Sequence, residues 1–278
     1  MDLFLTGLSG LAWTIVYIAS LRVGFRDKTY AIPITALGLN IAWEWIYAVY
    51  DLSSAPGAQA YINLAWALAD VVILYTFFRY GRAELPRFVT RPIFVAWGVA
   101  ILAASVTVQL LFIHEFGLVD MRAAKYSAFL QNLLMSGLFI AMFVARRGPR
   151  GQSLIIGVAK WIGTLAPTIL FGVIKGSTFV LGLGILCSVF DLAYIGLLLW
   201  ARQNRALLTT DLTGLTCPRE PKAGQPLARE DSWPLRLAAV EAGKWGCGRP
   251  GRRFRSDVHQ LVDEDGARDH RQELSIVA

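Results

Sequence analysis

Three cysteines in 278 residues leave little room for a disulfide framework or a thiolate metal centre. Cys187 lies within an apolar run, while Cys217 and Cys247 sit in a polar C-terminal stretch, so all three read as reduced thiols. Charge is also scarce: 17% of residues are charged and 55% are hydrophobic, a balance that no water-soluble domain of this length requires. Several signatures are missing altogether. There is no DDxxD-type acid cluster for magnesium and diphosphate, no DxDD, no HExxH, no Gly-rich phosphate loop and no haem-attachment Cys pair. Nothing in the sequence therefore supports chemistry driven by a metal or a nucleotide, and no cofactor is expected. Internal repeats and low-complexity runs are absent as well.

What the chain has is long apolar runs. Stretches of about 20 residues, the length a helix needs to cross about 30 Å of hydrocarbon, recur at 3–21, 30–50, 60–78, 92–113, 124–145, 153–174 and 178–201. They predict an all-α membrane protein, a seven-helix transmembrane bundle over residues 1–205. The first run lacks a basic flank and is long enough to span, so it reads as the first helix and not as a cleaved signal. The net charge of +7 does not point to nucleic acid, because the bases lie in short loops between apolar runs and no DNA- or RNA-binding motif accompanies them. Arg22, Arg26, Lys28, Arg79, Arg82, Arg87, Arg91, Arg146, Arg147, Arg150, Arg202 and Arg205 fall on one side; only Arg122, Lys125 and Lys175 fall on the other. The positive-inside rule then places the N-terminus outside and the C-terminus in the cytoplasm. Residues 206–278 balance their acids and bases, are rich in Pro, Gly and Arg, and read as a polar, disordered cytoplasmic tail with no assigned function.

Three acids lie well inside predicted spans: Glu44, Asp70 and Asp191. An ionised carboxylate costs several kcal/mol at such depth, so each must be paired, hydrogen-bonded or protonated, and a protonated acid is a proton donor. Glu44 stands in NIAWEWIY (40–47) with Asn40 and Tyr47 about one turn away on its own face and Trp43 and Trp45 beside it. That face fits a proton donor or an interhelical hydrogen-bond cluster equally well. Asp191, in CSVFDLAY (187–194), shares a face with Cys187, Ser188 and Tyr194 and equally fits a partner for Lys160. Asp70 suits pairing with Lys160 or Arg79. Asn132 and Ser136 share one face of the fifth span and fit helix contact or pocket lining, whereas His114 and Glu115 read as solvated residues at a span end. Counting rise per residue separates Glu44 and Asp191 by about 10 Å along the membrane normal, so the two acids are expected to act at different points of one cavity.

The arrangement resembles the integral-membrane terpene cyclases of fungal meroterpenoid and indole-diterpene pathways and their bacterial relatives. The resemblance covers about residues 25–200. It rests on DKTYAIPITALGLNIAWEWIY (27–47), ALADVVILY (67–75), SAFLQNLLMSGLFIAMFVARRGPRGQS (127–153), KWIGTLAPT (160–168) and FDLAYIGLLLW (190–200). It implies a seven-helix bundle that cyclises a prenyl chain on an aromatic or indole-type head, usually after epoxidation and without metal, downstream of a prenyltransferase and an epoxidase. The family's two important acids fall on Glu44 and Asp191. Glu44 is then expected to protonate an epoxide or terminal alkene, with Asp191 assisting. Trp43, Tyr47, Trp161 and Tyr194 are expected to line the cation's path, with Asn40, Asp70 and Asn132 around the substrate. A proton-coupled transporter and a non-catalytic membrane scaffold are the rival readings; the missing repeat speaks against the first. Arg far outnumbers Lys, which suggests a GC-rich genome and a bacterial cell membrane, with the endoplasmic reticulum second.

Overall fold

The computed structural model describes residues 1–54 and 57–204; the tail expected over 206–278 lies outside the described residues. Seven helices carry the described chain: α1 (Asp2–Asp27), α2 (Ile34–Ser54), α3 (Ala58–Tyr80), α4 (Arg91–Phe116), α5 (Arg122–Ala145), α6 (Leu154–Pro167) and α7 (Thr178–Gln203). No strand occurs among the described residues. Six helical segments are long and apolar enough to cross a membrane, α6 being counted with the π-helical turn that continues it to Ile174, and the chain is a multi-pass membrane protein. The expected count of seven reaches six on this measure. The exception is α2, whose apolar content is diluted by Asn40, Glu44 and Asp51.

The helix ends follow local chemistry. Lys28 adopts a left-handed conformation (φ 50°) and closes α1 onto the Gly24 carbonyl. Thus α1 runs six residues past its expected end, and residues 28–33 form a loop where a span was expected to begin. Pro92 occupies the first turn of α4, and Gly117 (φ 68°) ends that helix. Ser153 and Ser177 cap α6 and α7 by accepting from the backbone N–H of Ile155 and Val180.

The sixth span is broken where the sequence places a proline. Pro167 has no N–H to offer the Gly163 carbonyl one turn back, and that carbonyl instead accepts the Ser9 hydroxyl at 2.8 Å. Beyond Pro167 the chain continues as a π-turn over Thr168–Ile174. In hydrocarbon a freed backbone carbonyl needs such a partner, so Ser9 ties α1 to the break. The absence of a side chain at Gly163 matters for the same contact: a Cβ there would come within 2.9 Å of the Trp13 ring.

Contacts run α1–α3–α2–α5–α7–α6 and back to α1, a closed ring of helices, with α4 packed outside on α2 and α5. The peripheral place of α4 agrees with its burial, since only 22% of its most apolar window is inside the protein. At the end bearing the basic loops a polar clamp joins three connections. Arg146 pairs with Glu84 at 2.7 Å, donates to Thr29 Oγ1 and the Tyr30 carbonyl at 3.0 Å each, and lies 4.4 Å from the Tyr30 ring centre. The Thr29 hydroxyl also donates to Glu84. Burial raises the Tyr30 phenol above its ordinary value, against the opposing pull of the Arg146 guanidinium.

Candidate active site

A cavity of about 600 Å³ opens inside the ring, a size typical of small-molecule sites. Its walls come from α1, α2, α3, α5 and the π-turn after α6. One end carries Asp51, Gln59, Asp120 and Lys125, where α2 finishes and α3 and α5 begin; of these Gln59 and Asp120 are exposed. The other end is buried and ends on Tyr17, Asn40 and Glu44. Between them the wall is aromatic: Trp13, Trp43, Trp66, Phe129 and Phe171 all face the space. The Trp43 indole is pinned by donating to the Ala124 carbonyl at 3.0 Å, and Trp66 stacks on Tyr17 with ring centres 5.8 Å apart. Aromatic faces in a dry cavity attract a cation by about 1–2 kcal/mol each.

Glu44 is held by a directed chain of hydrogen bonds. The Tyr17 hydroxyl donates to Glu44 Oε1, and Asn40 Nδ2 donates to the Tyr17 oxygen at 3.4 Å. Gln131 Nε2 donates to Asn40 Oδ1 at 3.1 Å, and Gln109 Nε2 donates to Gln131 Oε1 at 2.9 Å. Every donor in the series points toward the carboxyl, so the chain from α4 through α5, α2 and α1 polarises in one direction. Glu44 Oε2 has no partner in this series and is buried. Asp70, fully buried on α3, lies within hydrogen-bonding reach of the Glu44 carboxyl. It is not paired with Lys160 or Arg79, the partners its sequence suggested: Lys160 is taken by Asp191, and Arg79 lies over the Tyr80 ring at 5.3 Å.

Asp191 belongs to a second, separate centre. Lys160 Nζ donates to Asp191 Oδ1 and Oδ2 at 2.8 and 3.0 Å and to Ser136 Oγ at 2.7 Å, joining α6, α7 and α5. All three side chains are buried, and none of them lines the cavity. Of the two alternatives that the sequence left open for Asp191, the side chains form the pairing with Lys160. The Ser136 hydroxyl in turn donates to the Asn132 carbonyl at 2.8 Å, one turn along α5, where Asn132 itself faces the cavity.

The structure thus brings Glu44, Asn40, Trp43 and Asn132 to the cavity and sets Asp70, outside the cavity lining, within reach of Glu44. Tyr47, Trp161, Tyr194 and Asp191 do not line it. Tyr47 packs on Trp43 with ring centres 4.9 Å apart, and Tyr194 packs on Phe139 at 5.2 Å. Both tyrosines share a face with an acid in sequence, yet both are buried to 0% exposure away from the cavity, Tyr47 against Trp43 of its own helix and Tyr194 against Phe139 of α5. Tyr17, Trp13, Trp66, Gln131 and Phe129 were not expected at the site. Gln131 had a signal, since it adjoins Asn132 in the QN-x-x-x-S block; Tyr17, a single phenol in an apolar run, had none.

The matching family is described as Pyr4-like transmembrane terpene cyclases, and its model covers residues 2–204. Among curated relatives, the Pyr4-family terpene cyclase mfmH of Annulohypoxylon moriforme is 30% identical over 166 residues, which are 59% of this chain and 66% of that protein. Terpene cyclase pyr4 of Aspergillus fumigatus is 26% identical over 206 residues, 70% of this chain and 84% of that one. Terpene cyclase paxB of Penicillium paxilli is 26% identical over 167 residues, 59% and 66% respectively. The chain therefore spans just under two thirds of the length of some of these relatives and more of others. No solved structure matches it. By the extent of the family match, which takes in every helix around the cavity and both buried acid centres, this chain belongs to the Pyr4-like transmembrane terpene cyclases.

Proposed function

We propose that this chain is a membrane terpene cyclase that folds a prenyl chain, carried on an aromatic or indole-type head, inside the aromatic cavity and starts ring closure by protonation from Glu44. One observation carries the reading: a carboxyl stands at the buried end of an apolar, aromatic-walled cavity with no cation paired to it among the described residues. A neutral acid in that position transfers its proton to an epoxide oxygen or a terminal alkene; the resulting tertiary cation is then attacked by the next double bond. Trp13, Trp43 and Trp66 lie where positive charge would migrate, and a dry wall protects the cation from capture by water. Tyr17 and Asn40 orient the acid, and Asn132 and the polar end at Gln59 and Lys125 suit the substrate's head. From Glu44 to Asp51 is seven residues, or about 10 Å of helix, a depth suited to a coiled prenyl chain. No step calls for metal, in keeping with a sequence that carries none of the diphosphate-binding acid motifs. The class of reaction is a cyclising isomerisation.

Asp191 supports the site from outside in this reading: with Lys160 and Ser136 it braces the α5 wall that carries Asn132 and Phe129. The membrane topology has seven crossings with the N-terminus outside. Its support is the length of α2, 21 residues, enough for about 31 Å, together with the asymmetry of basic loops. The relatives compared are fungal, which weighs toward the endoplasmic reticulum membrane over the bacterial cell membrane suggested by the Arg-rich composition.

The test supplies membranes bearing the protein with farnesylated and geranylgeranylated arenes, each with and without a terminal epoxide. An isomeric, cyclised product is expected, and Glu44→Gln is expected to lower its rate by about 10⁴-fold, the upper range for loss of a general acid. Unchanged turnover in Glu44→Gln removes that residue as the donor; no product from any of the four substrates removes the cyclase assignment for prenylated arenes.

A further inference from the structure

Asp70 has no place in the reading above, and its surroundings are unusual. Its exposure is 0%, and neither of its carboxyl oxygens has a hydrogen-bond donor among the described residues. Glu44 Oε2 is in the same condition. Three acid oxygens are therefore orphaned at one spot in the middle of two apolar helices, with the two carboxyls in hydrogen-bonding reach of each other. Two ionised carboxylates cannot stay so placed: each carries a desolvation cost of several kcal/mol, and their mutual repulsion adds to it. The buried base that could neutralise one of them, Lys160, is bound to Asp191 and Ser136. Protons shared between the two acids satisfy these oxygens.

We infer that Asp70 is a positioning residue for Glu44, and that the two carboxyls form a hydrogen-bonded, doubly protonated pair in the resting enzyme. The inference rests on Glu44 being the proton donor. In the initiating step the O–H bond of Glu44 breaks and its proton bonds to the substrate oxygen or alkene carbon, while the electron pair stays on Glu44 as carboxylate. That carboxylate forms next to two ready donors, the Tyr17 hydroxyl and the Asp70 O–H. Both bonds strengthen as negative charge develops, so they stabilise the transition state more than the ground state. Asp70 thus makes its neighbour a stronger acid without touching substrate; it does not line the cavity. The proton lost when the final carbocation collapses to an alkene returns to the pair and closes the cycle.

The discriminating experiment compares wild type, Glu44→Gln, Asp70→Leu and Asp70→Glu in the full chain, by infrared spectroscopy and by turnover. Asp70→Leu keeps the approximate shape, removes the donor and is expected to remain folded; a loss of folding is checked by thermal unfolding, and Asp70→Glu then serves as the second variant. The wild type is expected to show two protonated-carboxyl carbonyl bands without substrate. Asp70→Leu should delete one and shift the other, and Asp70→Glu should keep both. Turnover should fall about 100-fold in Asp70→Leu at unchanged KM, as for loss of one oxyanion donor, and Asp70→Glu should recover most of it. A Glu44 band that does not move in Asp70→Leu, a wild type with both acids ionised, or unchanged kcat in Asp70→Leu each overturns the pairing. Retained turnover in Glu44→Gln strikes the donor assignment itself, which separates the two failures.

Discussion

Two buried acid centres lie in one bundle, and they solve the same problem in opposite ways. At Asp191 a lysine is brought from the next helix, and the pair is closed by a serine at 2.7 Å. At Glu44 no cation arrives from among the described residues; amides, a phenol and a second carboxyl surround it instead. An ion pair in hydrocarbon is inert because moving its proton would leave a lone charge unsatisfied. On the proposed reading, a neutral acid facing the cavity keeps a transferable proton. That reading makes the carboxyl whose neighbours withhold a counter-charge the one that signals chemistry.

Several measurements would break or sharpen this contrast. The largest effect on stability is expected from Lys160→Met, which strands a buried carboxylate: about 3–5 kcal/mol, read as a fall in thermal unfolding temperature in detergent or nanodiscs. Lys160→Met combined with Asp191→Leu should recover much of that loss, and the double variant should turn over substrate per folded molecule at close to the parent rate. A folded but inactive double variant would place Asp191 in the chemistry and dissolve the distinction between the centres. Tyr17→Phe comes next, removing a hydrogen bond to the carboxylate that forms as Glu44 gives up its proton, worth about 1.5–3 kcal/mol in the transition state. It should lower kcat about 10- to 100-fold while shifting the unfolding temperature little. Ser136→Ala is the smallest and the mirror image: about 1 kcal/mol from stability, with kcat unchanged. Equal effects of the last two on both readouts would show one coupled network instead of two centres.

Legibility differed between residues for identifiable reasons. The helices were readable because about 20 apolar residues in a row have no other stable fate in a bilayer; α2 is the least apolar of them by hydropathy because it carries Asn40, Glu44 and Asp51. Glu44, Asn40 and Trp43 were readable because helical spacing puts a polar stripe on one face, and a polar stripe cannot face lipid. Tyr194 obeys the same spacing, yet Phe139 from α5 packs on it, and Tyr47, packed on Trp43 of its own helix, is buried completely. Periodicity gives the face of a helix and says nothing of what is packed against it. The choice between Asp70 and Asp191 has the same origin: the sequence left Lys160 open to either acid, and the packing of α6 against α7 brings Asp191 to it.

Composition and run length by themselves determined that this protein lives in a membrane, where its helices fall, and which few side chains are too polar to face lipid. The tertiary structure alone decided which acid meets Lys160, that Tyr17 reaches across from α1 to hold Glu44, and that five helix segments leave a cavity between them. The physical reason is range. Burial cost and helical period act on neighbours in the chain, whereas pairing, hydrogen-bond direction and empty space depend on residues brought together from as far apart as Tyr17, Glu44 and Gln131.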